Sequence, residues 1–203
     1  LKKSLDQEES LSDSILMIRV GQGDRSAMDT LVERHHHRLY RFAYRLCRDE
    51  DTASDIVAVS LIRAFNSAPS FRGEARFTTW MYRVVVNAFL DYRKKASIRV
   101  AVSLDDESKF GPEGRALHLV DPSASPQTHA ESSVRGQRIH AAIARLPEYQ
   151  KVAIVMFHIE GMSYEEMAVA LDLPIGTIKS RLNRARQTLA DLLSRERSLF
   201  YLS

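Results

Sequence analysis

The chain has 203 residues, 44% of them hydrophobic and 27% charged, with a formal net charge of +3 at pH 7. That length holds one large or two small domains, and helical patterning throughout favours two. A single cysteine, Cys47, excludes an internal disulfide and fits a reducing, cytoplasmic setting, with Cys47 itself expected as a small buried hydrophobe. No apolar run is long enough to span a bilayer and no signal-type segment opens the chain, so no membrane insertion is expected. The charge is uneven: −2 over Leu1–Asp24, +5 over Arg25–Ile98, −3 over Arg99–Ser132 and +3 over Ser133–Ser203. Two basic blocks flanking an acidic one suit a polyanion held at two places.

Leu1–Ser10 is polar and expected to fray. Leu11–Val20 carries Leu11, Ile15, Met17 and Ile18 at helical spacing, and Gly21-Gln22-Gly23-Asp24 closes it. Asp24 or Ser26 caps a helix running to about Arg48, with Met28, Leu31, Val32, His35, Leu39, Phe42, Ala43 and Leu46 inward. The run His35-His36-His37 does not read as a metal site. Consecutive helical residues project about 100° apart and cannot chelate one ion together.

Asp49-Glu50-Asp51-Thr52 favours the start of the next helix, Ala53–Ser67, through its dipole. Its packing face reads as Ile56, Val59, Ile62 and Ala64 or Phe65. Pro69 and Gly73 then mark a loop over Ala68–Arg76. Thr78 or Thr79 caps a helix to about Ala96, with Met81, Val85, Ala88, Phe89 and Tyr92 buried. Trp80, Arg83, Asn87 and Lys94 share a narrow arc on the other side, with Asp91 among them. An exposed tryptophan in line with cations and an amide can stack unpaired bases and hold phosphates. The competing reading packs Trp80 against a neighbouring helix.

Arg99–Ser132, rich in Ser, Asp, Gly and Pro, reads as a flexible acidic linker. Helical patterning resumes over Val134–Arg145 with Ile139, Ala142 and Ile143. Pro147 suits the first position of a further helix, which Gly161 ends. Ser163 and Glu166 form a capping box for a short helix with Tyr164, Met167, Ala168 and Leu171 on one face. Asp172-Leu173-Pro174 breaks it. The last helix starts near Ile175–Thr177, with Ile178, Leu182, Ala185 and Leu189 as its apolar stripe. Ser180, Asn183, Arg184 and Gln187 lie opposite, flanked by Thr177, Lys179, Arg181 and Arg186. Such a face suits major-groove readout, because arginine bonds guanine and asparagine or glutamine bonds adenine in bidentate fashion. The alternative is an ordinary charged surface. The tail ending in Leu199-Phe200-Tyr201-Leu202 suits docking on the domain or on a partner. No phosphate loop, catalytic triad or acid–base pair stands out, so neither an enzyme nor a cofactor is expected.

Two blocks resemble the extracytoplasmic-function class, group four, of the sigma-seventy family of bacterial RNA polymerase sigma factors. The first is DTASDIVAVSLIRAF followed by SFRGEARFTTWMYRVVVNAFLDYRKK, within Asp51–Lys95. The second is Leu146–Leu193, which contains GTIKSRLNRAR. The resemblance implies an all-α protein of two small helical domains, residues 12–98 and 133–195, joined by the acidic linker 99–132. The second domain would contain the helix-turn-helix. It further implies docking on core RNA polymerase and direction of that enzyme to promoter DNA. Thr177, Lys179, Ser180, Arg181 and Arg184 would read the −35 element as duplex. Arg72, Trp80, Arg83, Asn87 and Lys94 would hold and melt the −10 element. Asp55 and Arg63 on the helix Ala53–Ser67, with the neighbouring Asp51, would contact core polymerase, and here Ala58 and Val59 replace the family's usual glutamine and acidic residue. An anti-sigma factor is the expected regulator. The other reading is a stand-alone dimeric helix-turn-helix regulator, which leaves the Trp80 arc and the acidic linker without a role.

Overall fold

The computed structural model describes residues 2–103, 136 and 138–200, and every regular element among them is a helix. Most of the expected acidic linker, from residue 104 onward, and the last residues of the tail lie outside the described residues. The elements are α1 (Lys2–Gly21), α2 (Arg25–Cys47), α3 (Glu50–Ser67), a 3₁₀ turn (Ala68–Ser70) and α4 (Phe77–Ser103). After the linker come α5 (138–144), α6 (Glu148–Ile154), a π-helical turn (Val155–Ile159), α7 (Tyr164–Leu171) and α8 (Ile175–Phe200).

α1 begins at Lys2, where fraying is expected from the polar composition. Its first residues contain no glycine or proline, and lysine, glutamine and glutamate are good helix formers. α4 likewise meets no glycine or proline and runs to Ser103, beyond the expected stop near Ala96. At the other end of α4, Phe77 is already helical and the Trp80 amide donates to the Arg76 carbonyl. Thr78 and Thr79 therefore sit inside the first turn instead of capping it.

Asp24 is the cap of α2. Its carboxylate accepts the Ala27 amide at 3.2 Å and the Ser26 hydroxyl at 2.7 Å, and Arg19 pairs with it. The Ser26 hydrogen bond, then Arg19, hold its pKa down to about 2. Asp49 caps α3 by accepting the Thr52 amide at 2.7 Å.

α1–α4 pack around Met17, Leu31, Phe42, Leu46, Val57, Met81, Val85 and Phe89, all fully buried. α1 reaches the 3₁₀ turn so closely at Gly21 that a Cβ there would stand 2.8 Å from the Ala68 carbonyl oxygen. His35 is spent inside this bundle. Its Nε2 lies 2.7 Å from the buried Asp13 carboxylate, whose other oxygen accepts from Arg34. Cys47 is half-buried, donates to the Asp49 carbonyl, and burial pushes its thiol pKa up.

Two expected packing faces are wrong in part. In α3 the inward residues are Thr52, Ala53, Ile56, Val57, Ser60 and Ala64, while Val59, Ile62 and Phe65 are 41%, 60% and 42% exposed. Both stripes are apolar and helically spaced, so periodicity does not separate them. On α4, Tyr92 is exposed, its hydroxyl accepting from Thr52 at the rim of the core.

In the second half, α6 and α8 pack together and α7 closes on α8 and the π-helical turn, burying Met156, Met167, Ile178 and Leu182. Pro147 stands just before α6, as its N-cap. α7 also packs on α4, so buried apolar residues of both halves form one continuous cluster.

Candidate nucleic-acid interface

The helix-turn-helix is built by local chemistry. Ser163 accepts the Glu166 amide and Glu166 accepts the Ser163 amide, completing the capping box at the start of α7. Asp172 ends α7 in the left-handed region at φ 54°, and the Leu173 amide bonds back to the Ala168 carbonyl. Pro174 then starts α8, its carbonyl accepting the Thr177 and Ile178 amides.

Ile178, Leu182 and Ala185 anchor α8 in the core. Ser180, Asn183, Arg184 and Gln187 are exposed on the opposite side, and Thr177 is half-buried at its start. The flanking cations are seated on aromatic rings. The Arg181 guanidinium lies 4.9 Å from the Tyr149 centroid, Lys179 Nζ 5.7 Å from Tyr164, and Arg186 5.2 Å from Phe157. These stacks fix side chains that would otherwise lose rotamer freedom on binding. The aromatic seats carry no signal in the sequence, because Tyr149 and Phe157 lie far from α8 along the chain.

Trp80 is half-buried. Its ring meets Phe71 edge-on at 5.2 Å between centroids and lies tilted at 6.1 Å from Phe77. The ring therefore packs against the loop residue Phe71 and against Phe77 of its own helix, and it stays partly exposed. Arg83, Asn87 and Lys94 are exposed on the same arc. Arg72, next to Phe71, projects into solvent with only a loose approach of 3.8 Å to Glu74. Asn87 and Lys94 line an open cleft of about 720 Å³ together with Arg63, Arg93 and Tyr149. Arg63 pairs with Asp91 at 2.8 Å, which sets it beside the α4 arc and apart from Asp51 and Asp55. Those two acids are exposed on the outer side of α3, with Ile62 two helical turns along from Asp55.

Glu160, which no periodicity marks, lies between the halves of the molecule. One carboxylate oxygen accepts from Arg45 at 2.5 Å and the other from the Tyr82 hydroxyl at 2.5 Å. Burial, reinforced by the bond to Glu160, holds the Tyr82 hydroxyl well above the usual tyrosine range. Arg83 in turn reaches Asp172 at 3.1 Å.

Known proteins carry the same two units. Residues 31–98 match the family model of sigma-70 region 2, and residues 136–189 match sigma-70 region 4. The chain is 36% identical over 183 residues to the ECF RNA polymerase sigma-E factor of Haemophilus influenzae, covering 89% of this chain and 95% of that one. It is 34% identical, over 89% of its length and 94% of theirs, to the proteins of that name from Salmonella typhimurium and Escherichia coli K12. Among solved structures it is similar to the sigma factor RpoE of Bartonella quintana, determined with the anti-sigma factor NepR. The TM-score is 0.65 at 27% identity, over 82% of this chain and 96% of that one. CnrH, determined with the cytosolic domain of CnrY, shares the fold at a TM-score of 0.62 and 23% identity, over 91% and 98% of the two chains.

Proposed function

The chain belongs to the sigma-70 family, in its extracytoplasmic-function class, and on that premise we propose how its residues divide the work of promoter recognition. α8 reads the −35 element in the major groove. Ser180 and Arg184 face the bases, with Asn183 and Gln187 beside them, and Thr177, Lys179 and Arg181 grip the flanking phosphates. α4 acts on the −10 element after strand opening. A base that leaves the stack meets the Trp80 ring and the Phe71 loop, while Arg72, Arg83 and Lys94 hold the backbone and Asn87 offers an amide. The protein contributes positioning and binding to a reaction that the polymerase catalyses, and it works in the cytoplasm beside that enzyme.

α3 is the docking surface for core polymerase. Asp51 and Asp55 supply charge, and the exposed Val59, Ile62 and Phe65 supply apolar contact where the family's polar pair is absent. Arg63, paired with Asp91, completes that surface at the edge nearest the α4 arc. Residues 12–98 and 133–195 act as the two working domains and 99–132 as their tether. An anti-sigma factor controls the chain, a reading supported by the similar RpoE structure, which was determined with the anti-sigma factor NepR.

The observation that carries this reading is the pairing of two unlike faces on one chain: a stacked cationic helix suited to duplex, and an aromatic–cation arc suited to single strands. The test is reconstitution. The chain mixed with core polymerase should co-purify with it and confer binding to one class of promoter. A chain that binds palindromic DNA as a dimer without polymerase would overturn the assignment.

A further inference from the structure

The cations of α8 stand on two flanks of its outward face. Lys179 and Arg186 are seven residues apart, so they project within about 20° of one another and lie about 10.5 Å apart along the axis. Arg181 projects about 200° from Lys179, on the opposite flank, and Ser180, Asn183, Arg184 and Gln187 fall between the two. A helix lying in the major groove has a sugar–phosphate backbone along each side. In that pose each flank meets one backbone.

The flanks are built differently. Arg181 sits alone on Tyr149. Lys179 and Arg186 share a seat. Lys179 Nζ lies 5.7 Å from the Tyr164 centroid, Tyr164 stacks on Phe157 at 5.1 Å with the planes 15° apart, and Arg186 lies 5.2 Å from Phe157. Cation, ring, ring and cation therefore form one column, which ties α8 to α7 and to the π-helical turn that carries Phe157. Such turns are uncommon and concentrate at functional sites. Arg186 Nε also donates to His158 Nε2 at 3.2 Å, and neither cation has an ion pair among the described residues. An exposed lysine or arginine loses rotamer freedom when it binds a ligand. In the column part of that freedom is already lost, without the neutralisation that a carboxylate partner brings.

We propose that, given the duplex-reading role assigned to α8 above, the Phe157–Tyr164 stack is a positioning unit that presents Lys179 and Arg186 together to one DNA backbone. Arg186 is thereby a further phosphate-binding residue, and Phe157 and Tyr164 act through the two cations they seat. Phosphates carry no base identity, so this flank sets affinity and register and leaves base preference to the residues between the flanks.

The test titrates the full chain into a labelled short duplex of random sequence, reading anisotropy at rising salt, with a circular-dichroism melt of every variant. Wild type should bind with affinity that falls steeply with salt. Each phosphate contact contributes about 0.9 to the slope of log affinity against log salt. Arg186→Ala should therefore lower the slope by about 0.9, and its combination with Lys179→Ala by about 1.8. Tyr164→Leu keeps an apolar side chain and removes the ring. It should weaken binding about threefold, the worth of an exposed cation–π contact, and Lys179→Ala should then cost less than it does in the wild-type chain. Tyr164→Phe keeps the ring and should bind as wild type does. If Tyr164→Leu fails to fold, side-chain NMR of wild type decides instead: protons beside Lys179 Nζ and Arg186 Nε should be shifted upfield by the rings, before and after duplex is added. An unchanged slope in the double alanine variant, ring and cation losses that simply add, or side-chain protons without ring shifts overturn the proposal. Wild type that binds no duplex even at low salt overturns the reading of α8 along with it.

Discussion

The two proposed nucleic-acid faces differ in what their cations are doing. On α8, Lys179, Arg181 and Arg186 rest on aromatic rings, and Arg184 has no ion pair among the described residues. On and beside α4, Arg76, Arg83 and Arg93 face carboxylates of the second domain. An aromatic seat orients a guanidinium without neutralising it, whereas a carboxylate must be displaced before a phosphate can enter. The face proposed to read duplex is therefore ready in the free chain. The face proposed to hold a single strand is occupied.

The largest effect expected comes from removing the support under the ready face. Leu182→Ala leaves a cavity in the core beneath α8 and should cost about 2–5 kcal/mol of stability by thermal or denaturant melting. Duplex binding should fall with it. Next, Arg184→Ala should weaken binding to a −35 duplex by ~1–3 kcal/mol and relax preference at one base pair. Arg181→Ala should weaken it more uniformly across sequences, because a phosphate contact carries no base information. Equal loss of specificity in both would erase the distinction drawn between the outward face and its flanks.

On the occupied side, Trp80→Ala should leave core binding intact and lower permanganate reactivity of promoter thymines, since base–aromatic stacking is worth about 1–3 kcal/mol. Unchanged reactivity would reduce Trp80 to a packing residue for Phe71 and Phe77. Ser163→Ala should remove one half of the capping box and cost ~1 kcal/mol, seen as a lower melting temperature of the second domain.

The smallest effect is with pH. Burial first, then nearby Arg48 and Arg45, lower the pKa of His140, and burial first, then Arg186, lower that of His158. A folded pKa below the unfolded one means that the unfolded chain binds protons first. Stability is then full above the ordinary histidine range and falls as pH drops through it. Melts taken across that range should show this decline, and His158→Gln should flatten part of it.

Much of the fold is legible because it is local. The capping box at Ser163 and Glu166, the Asp24 cap and the Ile178–Leu182–Ala185 stripe each depend on successive residues no more than four positions apart. The inward stripe of α3 is not legible, because Val59, Ile62 and Phe65 are as apolar and as well spaced as the residues that pack. Trp80 shows the same limit: its arc is readable, but its seat against Phe71 depends on how the loop over Ala68–Arg76 folds back. Glu160 is the extreme case. Its partners Tyr82 and Arg45 lie 78 and 115 residues away, and nothing in its neighbours singles it out.

The central claim is that these two faces serve one polymerase at one promoter. The most direct measurement is run-off transcription from a promoter library by core polymerase reconstituted with this chain, followed by sequencing of the transcript 5′ ends. The account predicts starts that share one −35 and one −10 element at a fixed spacing, lost with Arg184→Ala and with Trp80→Ala. Starts no different from those of core polymerase alone would contradict it.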